Sequence, residues 1–211
     1  MRRNLNLIAS ELRIIGFNLY IPIIGSVVYI LFLSEMVLSI ILLQLVVVPM
    51  AGWWIVWSFE HNLKTSEFKL FQSLPINMKS YLNMKMLVGM VLYSFLLFII
   101  LTFTFTKHEW IPMLTLLLPQ VMFFTSLFYV LVIVTKNASV SISLIYLYIL
   151  RVFMPIVKIP YWPDVFLLSN EVLEMRYVGE KAIFTLLYAC WFLYIGNLKT
   201  TSNMQRYKRK G

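Results

Sequence analysis

Charge is scarce in this chain. Only 13% of its 211 residues are Asp, Glu, Lys or Arg, about half of the roughly 25% usual in soluble domains. So little polar surface cannot face water on every side, and with 61% hydrophobic residues and a mean hydropathy of +0.82 the expected solvent is lipid. Cysteine is nearly missing. Cys190 stands alone, so no disulfide forms within the chain, and in its apolar surroundings it reads as an inert core thiol. The two histidines, His61 and His108, fall in expected loops, and the acids also avoid the apolar runs. A metal cluster or the His–acid or paired-Asp sets of intramembrane proteases therefore find no ligands within spans, and an enzyme is not expected. The seven glycines include no G-x-x-x-x-G-K-[ST] phosphate loop, so ATP hydrolysis is not expected in this chain.

What the chain has in abundance is apolar runs of bilayer length. At roughly 20 residues per crossing, an all-α polytopic membrane fold is expected, a single transmembrane domain over residues 1–211 with spans near 14–33, 36–59, 86–105, 112–134, 140–157 and 182–194. The opening Met-Arg-Arg continues too polar for the apolar core of a signal peptide. Loop charges separate by side. Arg2, Arg3, Arg13, the lysines between 64 and 85, Lys136 and the basic run after Lys199 share one side, while Lys107, Lys158, Arg176 and Lys181 face most of the acids on the other. That bias predicts a multi-pass protein with both termini in the cytoplasm. The lysine- and isoleucine-rich usage is compatible with a low-GC bacterium, so a bacterial cell membrane is the expected location. The net charge of +9 is thereby assigned to membrane lipid, and the tail Arg206-Tyr207-Lys208-Arg209-Lys210 reads as a headgroup anchor, with no nucleic-acid partner. Trp53, Trp54, Trp57, Trp110 and Trp162 are expected in interfacial belts, and Pro22, Pro49, Pro119 and Pro155 are expected to bend spans.

Three segments are not spans. In residues 1–13, Leu5, Ile8, Ala9 and Leu12 share one helical face opposite most of the charges, which predicts a short amphipathic helix at the headgroups. In the loop 60–85, Thr65 or Ser66 caps a short helix that Pro75 ends, with Phe68, Phe71 and Leu74 on one face. Two exposed phenylalanines need lipid or a partner's groove to cover them. The outer loop 158–181 mixes prolines, an apolar run and acids, predicting short helices at or dipping into the outer leaflet.

Arg151 is the sole charge deep in an expected span. It lies about six residues, or roughly 9 Å, from the outer end. It either snorkels or pairs with an outer acid, or it lines a translocation path. Gln44, Gln120 and Asn18 suit interhelical hydrogen bonds, and with Arg151 they are the candidate path residues.

In this order the elements resemble the membrane (permease) subunit of ABC-2-type exporters. That family has an N-terminal amphipathic elbow helix, six transmembrane helices with both ends inside, a cytoplasmic coupling helix between the second and third spans, and short outer re-entrant helices before the last. The local match is Glu60, then Glu67-Phe68-Lys69-Leu70-Phe71, then Leu74-Pro75, then Lys79 to Lys85. Where the family often has glycine after the acidic pair, this chain has Lys64-Thr65. The resemblance implies export driven by a separate ABC ATPase subunit that holds the ATP and Mg, with no cofactor in this chain. It implies that Phe68 and Phe71 anchor the coupling helix in that ATPase, with Glu60, Glu67, Lys69, Leu74 and Pro75 around them. A second permease subunit, identical or related, would complete the path. The implied cargo is an amphipathic peptide or lipophilic drug, with a lipid-linked polymer as a further candidate. The substrate-binding membrane component of vitamin importers also has about six spans. Such proteins, however, use small residues at i, i+4 to meet a partner, and here the five alanines and seven glycines are scattered.

Overall fold

The computed structural model describes residues 16–33, 39–64, 78–107, 109–151, 165–166 and 175–208, and every regular element among them is helical. A 3-10 turn, Gly16–Leu19, leads into α1 (Ile21–Val28), which widens into a π turn at Tyr29–Leu33. Next come α2 (Ser39–Leu42), a π turn (Leu43–Val47), a 3-10 turn (Val48–Gly52) and α3 (Trp53–Lys64), running on from one another. Four helices follow: α4 (Met78–Thr104), α5 (Trp110–Thr135), α6 (Ala138–Leu150) and α7 (Met175–Lys208). The break between α2 and α3 has a local cause. Pro49 has no N–H for the carbonyl four residues back, so the ladder shifts through π and 3-10 geometry instead of closing normally.

Four stretches are long and apolar enough to cross a membrane: Ile40–Phe59, Lys79–Thr104, Trp110–Thr135 and Arg176–Ser202. Gly16–Phe32 and Ala138–Leu150 are apolar but shorter. Against the six expected spans, α6 falls short by length, since its 13 residues cover about 20 Å of a core about 30 Å thick. The expected fifth span continued to 157, and 152–157 lie outside the described residues, as does the expected elbow helix at 1–13. Three helices overrun their expected limits. α3 continues to Lys64, past the expected span end at 59. α4 starts at Met78, because nothing between there and Lys85 breaks a helix. α7 starts at Met175, and Arg176 pairs with Glu180 one turn on at 3.5 Å. Residues 175–181, expected in the outer loop, therefore belong to the last helix.

α5 is the axis of the bundle. Within its apolar stretch 72% is buried, against 33% in α4 and 22% in α7. It packs on α7, on the Val48–Gly52 turn, and on α3, α4 and α6. Two glycines permit the closest approaches. A Cβ on Gly52 would stand 1.8 Å from Cδ2 of Phe128, and one on Gly196 would stand 2.5 Å from the ring of Tyr129. Outward faces are apolar: Leu87, Val91 and Phe95 on α4, Phe184, Leu187, Trp191 and Tyr194 on α7. Gln44, Gln120, Thr125 and Ser126 are fully buried. This inverts the soluble pattern and suits lipid as solvent. The buried hydroxyls of Thr125, Thr185 and Thr200 bond back to carbonyls one turn earlier, at 2.7–2.8 Å, and so need no water.

Two sequence readings change here. Cys190 is exposed on the outer face of α7, because that helix turns most of its surface outwards. Trp54 is buried and meets Tyr93 edge-on with ring centroids 5.9 Å apart, so it packs the bundle instead of an interfacial belt.

Tight turns orient the helices. Between α4 and α5, Thr106 donates through N and Oγ1 to Glu109 Oε2 at 3.0 and 2.8 Å, and Trp110 Nε1 donates to Phe105 O at 3.1 Å. Between α5 and α6, Lys136 takes a left-handed conformation (φ 55°) and the Asn137 side chain caps Val140 N at 3.3 Å. Below, the first turn marks the hairpin end of the bundle. The second, near Lys85 and Lys199, marks the basic end.

Candidate functional site

Polar chemistry gathers at two levels. The first is inside the apolar layer. Gln120 lies ten residues into α5, about 15 Å from Trp110. Its Nε2 donates to Gln44 Oε1 at 2.9 Å and to Val165 O at 2.7 Å. Val165 and Phe166 are buried at 1% and 2% exposure, so the segment between α6 and α7 reaches the depth of Gln120. Non-helical backbone is tolerated there only inside protein with its polar groups paired, and Gln120 pairs this carbonyl. Phe166 lies against Phe124 and Tyr148, with both ring separations 5.9 Å. Arg151 sits over the Tyr148 ring, its Cζ 6.0 Å from the centroid, within cation–π range. On the other side of Gln44, Tyr93 donates its hydroxyl to Val47 O in the π turn, meeting a carbonyl that the distorted ladder presents.

The second level is the basic end, at the stems of the loop 60–85. Lys85 is 7% exposed; its Nζ donates to Ser58 O at 3.2 Å and lies 5.6 Å from the ring centres of both Phe59 and Tyr81. An ammonium between two aromatic faces and a carbonyl ties α3 to α4. Phe59 in turn packs on Tyr129 of α5 at 5.4 Å. Tyr129 Oη reaches Thr200 Oγ1 at 3.2 Å and donates to Asn197 Oδ1 at 3.4 Å, both on α7. Contacts therefore run from the loop stems across α5 to the last helix. Lys85→Met keeps the stem but removes the charged donor. It is expected to cost about 1–2 kcal/mol, seen as a melting point roughly 3–6 °C lower in detergent. An unchanged melting point would show that Lys85 does not clamp the stems.

The sequence candidates are placed as follows. Gln44 and Gln120 are joined directly, and Arg151 reaches their neighbourhood through Tyr148 and Phe166. Asn18 is not with them. It is half-buried in the Gly16–Leu19 turn, which packs on α3 towards the basic end. Glu60 lies on the helical backbone of α3, its side chain outside the described residues, while Glu67, Phe68, Lys69, Phe71, Leu74 and Pro75 lie outside them altogether. Sequence reasoning missed the tyrosines. Tyr93 and Tyr129 sit within apolar runs, where a hydroxyl aimed at another helix leaves no pattern in one chain. It also read Lys85 as an ordinary loop cation, although Tyr81 one turn earlier was the available signal of a partner. No family model, no curated protein and no solved structure matches this chain.

Proposed function

We propose that this chain is the permease subunit of an ATP-driven exporter of the ABC-2 type, crossing the cell membrane six times with both termini in the cytoplasm. The expected spans 14–33 and 140–157 supply the two further crossings. The loop 60–85 docks on a separate ABC ATPase through Phe68 and Phe71, and two permease subunits share the path. The cargo is an amphipathic peptide or lipophilic drug. The observation that carries this reading is the clamp at the loop's stems. Lys85, Ser58, Phe59 and Tyr81 hold α3 and α4 together at the point where the loop leaves, and Phe59 passes into Tyr129 and α7. A loop rooted in that way can transmit a partner's motion to four helices, α3, α4, α5 and α7; a loose tether could not. The segment entering the bundle ahead of α7 also supports the reading.

The test is copurification. The chain, isolated in detergent from its own cells, is expected to bring an ATPase subunit with it, and Phe68→Asp with Phe71→Asp is expected to lose that subunit while keeping the melting point. Copurification that survives both substitutions, or no ATPase with either protein, would remove the coupling assignment.

A further inference from the structure

Of the five buried side-chain polar atoms without a hydrogen-bond partner among the described residues, two are complementary: Gln120 Oε1, an acceptor, and Arg151 Nη1, a donor. Their depths coincide. At 1.5 Å per residue, Gln120 lies about 22 Å along α5 from Thr135, and Arg151 about 20 Å from Ala138 along α6 and the residue after it. Side-chain packing agrees with that count. Tyr148, one turn before Arg151, meets Phe123 and Phe124, one turn beyond Gln120, at ring separations of 5.9 and 6.1 Å. Phe166 joins the same aromatic group, and the neighbouring Val165 carbonyl is the one held by Gln120.

This depth changes the reading of Arg151. Counting along the sequence put it about 9 Å from a span end, whereas its level with Gln120 puts it about 15 Å from the hairpin end. An arginine that deep, with an idle buried donor, carries a cost that a ligand can remove. One group satisfies both orphans: an oxyanion accepts from Arg151, and an adjacent O–H or N–H donates to Gln120. The aromatic faces of Tyr148 and Phe166 beside them suit an apolar tail. We propose that Arg151 and Gln120 form a binding site for an amphiphile with an oxyanion head, a carboxylate or a phosphate. The head rests on Arg151 and the tail runs along Tyr148 and Phe166. The site does not depend on a partner ATPase, so failure of the copurification leaves it standing.

Native mass spectrometry of the full chain in neutral detergent tests it, with phosphatidylglycerol, phosphatidylcholine, N-lauroylglycine and inorganic phosphate as probes. The wild-type chain is expected to retain phosphatidylglycerol, N-lauroylglycine or both, whose heads pair an oxyanion with an O–H or N–H. It should retain neither phosphatidylcholine, whose head has no such donor, nor inorganic phosphate, which has no tail. Arg151→Gln is expected to weaken that retention at least ten-fold, and Arg151→Lys, which keeps the charge, to weaken it less. Phosphatidylglycerol alone would identify a lipid headgroup as the source; N-lauroylglycine would identify a free amphiphile. If Arg151→Gln does not purify, the comparison of wild type with Arg151→Lys decides, since a guanidinium fork on an oxyanion predicts a measurable loss. Equal retention by every variant, binding of inorganic phosphate alone, or no anion bound by the wild-type chain would each overturn the site.

Discussion

Gly52→Ala is expected to be the most damaging single methyl group that can be added to this protein. The new Cβ would lie 1.8 Å from Cδ2 and 2.4 Å from Cγ of Phe128, well inside van der Waals contact. Phe128 is 3% exposed on the central helix, and Gly52 ends the 3-10 turn that interrupts the Ile40–Phe59 stretch. The clash includes Cγ, the ring atom nearest the Phe128 backbone, so a ring rotation alone is not expected to relieve it and the backbones must shift. Overpacking costs about 1–3 kcal/mol; a clash this close is expected at the upper end, about 3 kcal/mol, and in detergent the melting point is expected to fall by roughly 6–12 °C. Phe128→Leu supplies the control. By itself it opens a cavity and destabilises; combined with Gly52→Ala it is expected to recover more than about 1 kcal/mol of the summed losses, because the two sites share one volume. Strict additivity would mean that the contact between turn and helix is looser than this geometry.

The second large effect is expected at Gln120. Gln120→Leu keeps the bulk and removes both hydrogen bonds, leaving Val165 O and Gln44 Oε1 without this donor in an apolar interior. Hydrogen bonds between membrane helices average about 0.6 kcal/mol, but a buried carbonyl left unpaired adds about 1–3 kcal/mol, so about 2 kcal/mol is expected in all. The loss should concentrate on the segment that Gln120 holds. With Cys190→Ser as background, a cysteine at position 165 is expected to react slowly with a water-soluble maleimide. Adding Gln120→Leu is expected to speed the reaction roughly thirty-fold, the factor that corresponds to 2 kcal/mol of local opening. Equal rates would show that aromatic packing around Phe166, not Gln120, holds the segment inside.

Particular elements show how far the chain could be read without its fold. The four stretches long and apolar enough to cross a membrane, Ile40–Phe59, Lys79–Thr104, Trp110–Thr135 and Arg176–Ser202, each overlap an expected span, because hydropathy over about 20 residues is a local sum. Helix ends were read less well. Apolar content marks where lipid stops, whereas a helix stops only where its backbone is broken or capped, so α4 and α7 run on past their apolar parts. In the candidate sites, Gln44, Gln120 and Arg151 stood out because a polar group among apolar neighbours is visible in any single chain. Their partners did not. The 76 residues between Gln44 and Gln120, and the 27 between Ser58 and Lys85, are crossed by packing alone.

The amino-acid order by itself determined that this is a helical protein whose solvent is lipid, since charge scarcity and apolar run length need no knowledge of neighbours. Tertiary structure alone decided which face of each helix turns inwards. α5 and α7 are both apolar enough to cross a membrane, yet one is the core and the other the wall. A helix apolar on all sides has no hydrophobic face to read. The choice passed to shape instead: to the missing side chains of Gly52 and Gly196, which let Phe128 and Tyr129 sink in and placed α5 at the centre.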